Sequence, residues 1–71
     1  MSYRIGTVVD VIGEHTMAGQ IGRVCRVTKY TYWVRFWVSA DNKDLGAFYV
    51  PIPRDLVTGT TGAAPPCRDR S

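Results

Sequence analysis

Four glycines within seventeen residues, at positions 6, 13, 19 and 22, punctuate a run otherwise rich in valine. Glycine supplies the backbone freedom that turns need, and β-branched residues between turns favour strands. The spacing predicts a strand, an irregular glycine-bordered loop over residues 13–19, and a second strand. A chain of 71 residues written in this way is expected to be a small, strongly bent β-barrel, near the lower size limit for folding without staples.

The remaining sequence continues the pattern. Residues 6–12 form the first strand, with Val9 and Val11 facing the core because Asp10 marks the other face as solvated. The second strand covers residues 21–29. Its Val24 and Val27 lie three apart, so strict alternation cannot put both on one face, and a bulge or sharp bend reconciles them. Residues 31–38 alternate most cleanly: Tyr32, Val34, Phe36 and Val38 point inward, and Trp33, Arg35 and Trp37 outward, since an unpaired arginine is costly to bury. A polar turn over residues 39–46 leads to a fourth strand at 47–52, where Phe48, Val50 and Ile52 share a face and Pro51 confines the strand to a sheet edge. Residues 53–55 suit a single helical turn, and Leu56 and Val57 a closing fifth strand. Met17, from the first loop, is placed to plug one end. The expected fold is all-β, a five-stranded SH3-like barrel over residues 1–57.

No large apolar residue follows Val57, so residues 58–71 are expected to form a flexible, disordered tail that offers Arg68 and Arg70 to solvent. Cys25 then reads as a small buried hydrophobe and Cys67 as an exposed free thiol, because pairing them would tether a disordered end to a core position. The absence of a membrane-length apolar segment and of signal-peptide organisation points to a cytoplasmic, reducing location. One histidine and no Cys-x-x-Cys exclude the common zinc patterns. No cofactor, metal or small-molecule substrate is expected.

Gly6, Val9-x-Val11, Gly13 and then Gly19-Gln20-Ile21-Gly22-Arg23-Val24, with Val34 and Phe36 beyond, resemble the KOW motif, an SH3-like element of ribosomal proteins and transcription elongation factors. The resemblance implies a small barrel that contacts nucleic acid or ribonucleoprotein. Residues 34–36, the polar loop after them, Phe48 and Asp55-Leu56-Val57 are also similar to the small SH3-like accessory chains of photosynthetic electron-transfer complexes. These include a small stromal chain of photosystem I and the variable chain of ferredoxin–thioredoxin reductase. That similarity implies an accessory subunit that stabilises a docking surface.

The candidate contact surface centres on Trp33, Arg35 and Trp37, three outward positions spanning about 13 Å at strand rise. Two indoles flanking a guanidinium can stack bases or grip a proline-rich or aromatic peptide. The alternative is that the first loop or the tail covers one of the indoles. Arg23, Arg26 and Lys29 extend the surface as a basic stripe for phosphates if a bulge aligns them, and otherwise serve as solvated charges that guard against edge pairing. The loop over residues 13–19, with His15, is expected to complete the contact surface; with no cysteine, serine or second histidine near it in sequence, His15 reads as a surface residue and not a catalytic one. Residues 1–57 hold seven basic side chains against five acidic ones, an excess too small to demand a polyanion. The expected function is therefore that of a non-enzymatic binding module, contacting nucleic acid or, alternatively, docking to a protein complex.

Overall fold

A computed structural model describes residues 3–39 and 41–67. Five strands follow one another: β1 (Val8–Val11), β2 (Ile21–Val27), β3 (Thr31–Trp37), β4 (Ala47–Pro53) and β5 (Val57–Gly59). Two single 3-10 turns, Lys43–Leu45 and Arg54–Leu56, precede β4 and β5. All pairings are antiparallel and make one sheet in the order β4-β3-β2-β1-β5. The all-β, five-stranded expectation is met, but the closed barrel is not. β4 and β5 form the two open edges of the sheet. β4 carries Pro51 and Pro53, which have no N–H to donate to a further ladder, and β5 is only three residues long.

One face of the sheet holds the core: Val9, Val11, Val24, Tyr32, Val34, Phe36, Ile52 and Val57 are buried there. Met17, Val50 and Leu56 pack against them, so the first-loop methionine does fold back onto the core. Val38 does not join them. It lies past the end of β3 and is about half exposed, at 51%. The expected bulge is present in β2, where Val24 pairs with Val34 but Arg26, not Cys25, is the next residue to pair, with Trp33. One extra residue puts Val27 opposite Tyr32, on the same side of the sheet as Val24, but at the strand end it stays exposed and does not join the core.

Gly22 sits where β3 packs closest against β2 on the core side. A Cβ there would meet Val34 Cγ1 at 2.5 Å and the Arg35 carbonyl oxygen at 2.6 Å. The first loop turns back at Gly19, whose φ of +84° favours glycine and whose N–H donates to the Val11 carbonyl.

Two tyrosines tie the start of the described chain to β3 and β5. The Tyr32 hydroxyl accepts the Tyr3 N–H at 3.0 Å, and the Tyr3 hydroxyl accepts the Gly59 N–H at 2.9 Å, with the rings edge to face. Tyr32 is 1% exposed, so its hydroxyl has little recourse to water. Tyr32→Phe is expected to lower stability by about 1 kcal/mol and Tm by about 5 °C, measured by thermal denaturation.

Candidate binding face

The face opposite the core carries the residues singled out in the sequence. Register places Val8, Arg23, Arg35 and Tyr49 in one row across β1, β2, β3 and β4. Arg26, Trp33 and Pro51 form the next row. The bulge at Cys25 is what aligns the two arginines of β2. Three residues apart, they would face opposite sides of a regular strand, but the extra residue puts both beside β3 on the outer face.

This face is not bare. Beyond β5, residues 61–67 turn back and cross it. Pro65 is buried, and its carbonyl accepts from Arg23 Nε at 3.1 Å. The Pro66 carbonyl accepts from an Arg35 Nη1 donor, and the Cys67 carbonyl accepts from the Tyr49 hydroxyl at 2.9 Å. Cys67 is disulfide-bonded to Cys25, with their Cα atoms 5.2 Å apart. Two expectations are therefore corrected. The described part of the tail lies on the sheet, and neither cysteine is a free thiol. The cause is polar and covalent: the segment has no large apolar side chain, yet it presents carbonyls to arginines and ends on a cysteine facing the bulge. Arg68 and Arg70 lie outside the described residues.

The electrostatics explain why such a segment fits. Arg23 and Arg35 oppose each other directly across two strands, an arrangement of like charges that costs stability if nothing intervenes. Successive carbonyls from Pro65 and Pro66 take one donor from each guanidinium. A proline has no N–H of its own, so this stretch offers acceptors alone to a surface that offers donors. Arg23 also donates from Nη1 to the Gly6 carbonyl at 2.8 Å, and the Arg35 guanidinium lies 5.4 Å from the centre of the Tyr49 ring.

Trp33, Arg35 and Trp37 do point away from the core, but all three are half-buried. Lys43 Nζ lies 5.6 Å from the Trp37 ring centre. Trp37 and Ala63 help to line a cleft of about 290 Å³ with Ile21 and Val38. A second cleft, about 360 Å³ and open to solvent, is bordered by Cys25, Arg26, Trp33, Tyr49 and Cys67. Tyr49, Cys25 and Cys67 belong to this surface although the sequence did not single them out as binding residues. The alternation that placed Tyr49 opposite Phe48 and Val50 already put it on the outer face. His15 stands apart from these clefts. It is half-buried in the first loop, where its Nδ1 accepts the Met17 N–H at 3.0 Å, a turn contact.

Among the described residues, no cluster of His, Cys, Asp or Glu could hold a metal ion, and no helix is long and apolar enough to cross a membrane. Comparison of the chain with family models, curated proteins and solved structures finds no match in any of the three.

Proposed function

We propose that this chain is a non-enzymatic binding module whose outer face takes an extended, proline-containing protein segment, as a docking or accessory subunit would. One observation carries the proposal: residues 64–67 of the chain itself already lie on that face as such a ligand. Their carbonyls are held by Arg23, Arg35 and Tyr49, and Pro65 is buried against the sheet. Recognition of proline-rich segments commonly pairs aromatic side chains with a preformed extended backbone, which loses little entropy on binding. Trp33 and Tyr49 border the open cleft beside this segment, with room for further residues of a bound chain. An SH3-like architecture is part of the same proposal. It is supported by the strand order β5-β1-β2-β3-β4 and by the single 3-10 turn between the last two strands.

A nucleic-acid contact of the KOW kind is the second reading, favoured by the same cleft, where Arg26 adjoins Trp33 and Tyr49. It ranks below the first because Arg23 and Arg35 are engaged by the chain's own carbonyls, leaving Arg26 as the exposed arginine of the three.

Titration followed by tryptophan fluorescence separates the two. A ten-residue peptide of alternating alanine and proline is expected to give a saturable change with little salt dependence, and Trp33→Ala is expected to abolish it. A single-stranded oligonucleotide is expected to give none. Binding of the oligonucleotide alone, falling steeply as salt rises, would establish the second reading in place of the first.

A further inference from the structure

The segment lying across the outer face occupies the site proposed above, and one covalent bond fixes it there. We propose that the Cys25–Cys67 disulfide is a redox latch. Reduction by a dithiol releases residues 61–67 from the sheet and opens the outer face to an extended peptide from another protein. The proposal rests on the reading of that face as a peptide site.

Three observations support it. First, the latched segment is separable from the core. All eight residues of the buried apolar cluster lie on the opposite face, and residues 61–67 contribute none of them. Apart from the disulfide, what holds this segment includes the buried Pro65 and the three carbonyls accepted by Arg23, Arg35 and Tyr49. Each such hydrogen bond is individually modest in net worth, because the same groups bond water when freed.

Second, the bond is reachable. Both cysteines border the open cleft of about 360 Å³, so a small dithiol can approach without the sheet opening. Arg26 borders the same cleft and places a positive charge near the thiolate that departs, which favours its departure.

Third, the chemistry is a balanced exchange. A thiolate of the reductant attacks one sulfur of the pair and forms a mixed disulfide, expelling the other cysteine as thiolate. The second thiol of the reductant then displaces the first cysteine. The reductant leaves as a disulfide, and two protons and two electrons end on Cys25 and Cys67 as thiols.

The latch changes binding through competition. While the disulfide holds, the chain's own segment is a permanent competitor that leaves an outside peptide only the cleft bordered by Trp33 and Tyr49, and its binding is the weaker for it. Once it is cut, residues 61–67 compete only as a tethered chain, at an effective concentration of about a millimolar for a short flexible linker. A peptide of higher local concentration or affinity can then displace them.

The test uses the full chain in three states: oxidised, treated with dithiothreitol, and re-oxidised. Cys67→Ser serves as a reagent-free counterpart of the reduced state. On reduction, acrylamide quenching of Trp33 and Trp37 is expected to rise while the far-ultraviolet β-sheet signal is kept. The alanine–proline peptide is expected to bind about tenfold more tightly or better. Re-oxidation is expected to reverse both changes, and Cys67→Ser to show them permanently. Unchanged quenching with two free thiols titrated would overturn the latch, since the segment then stays in place without its bond. Loss of the β-sheet signal on reduction would also overturn it, making the disulfide a staple of the whole fold. Increased quenching without peptide binding in any state upholds release of the segment and rejects the peptide reading.

Discussion

Gly22→Ala is expected to destabilise the chain by about 3 kcal/mol, lowering Tm by about 15 °C in thermal denaturation. The reason is space, not backbone conformation. Gly22 pairs with Val9 on β1, and its missing side chain faces the core beside β3. The added methyl would lie 2.5 Å from Val34 Cγ1, 2.6 Å from the Arg35 carbonyl oxygen and 2.9 Å from Phe36 Cδ1. A carbonyl oxygen belongs to the backbone and cannot rotate away, so β2 must lift from β3 or β3 must deform. Gly46→Ala is the informative control. Its φ of +91° makes alanine strained there, but nothing lies within 4 Å of the added atom, so the loss is expected near 1 kcal/mol. Equal losses at the two positions would show that crowding is not what Gly22 relieves.

Replacing both cysteines with serine is expected to cost about 4 kcal/mol, from the larger conformational freedom of an unfolded chain no longer closed across 42 residues. Chemical denaturation should read this as a lower midpoint. A domain of this length has a total stability on the order of 7 kcal/mol, so about 3 kcal/mol would remain and the sheet would persist at room temperature. The two effects should also add, because Gly22 faces the core and the disulfide lies on the other side of the sheet. A Gly22→Ala chain without the disulfide is therefore left with a stability near zero and is expected to be about half unfolded at 25 °C. Full persistence of the sheet in that triple variant would mean that one of the two costs has been overestimated.

Much of the sheet was legible in the sequence because its determinants are local. Tyr32, Val34 and Phe36 alternate with Trp33, Arg35 and Trp37, and a period of two fixes the faces without knowledge of neighbouring strands. The three-residue gap between Val24 and Val27 announced the bulge, and Pro51 announced an edge. The fate of residues 61–67 was not legible in the same way. Their composition of glycine, threonine, alanine and proline carries no apolar signal, and their attachment depends on carbonyls, which every residue has. Cys25 and Cys67 are far apart in sequence, and nothing local to either one points to the other. The surface candidates followed the same division. The outward direction of Trp33, Arg35 and Trp37 came from alternation, whereas the carbonyl that Arg35 holds comes from a segment recruited across half the chain. A disulfide is also the form cysteines take mainly in oxidising compartments, which weighs against the reducing location expected from the sequence.

The position of β1 has a consequence for how the chain is made. β1 lies between β2 and β5, so the earliest strand is paired on one side by the last. β2, β3 and β4 follow one another in sequence, the first connection a tight turn closed by Thr28 and Thr31 and the second a loop over residues 38–46, and can assemble soon after synthesis. β1 cannot complete its ladder until Val57 has emerged, and contacts that span most of a chain form slowly. Through that interval β1 exposes an open hydrogen-bonding edge to any other nascent strand nearby. The hazard for this small sheet is thus one of timing: its most vulnerable edge is the first to be synthesised and the last to be covered.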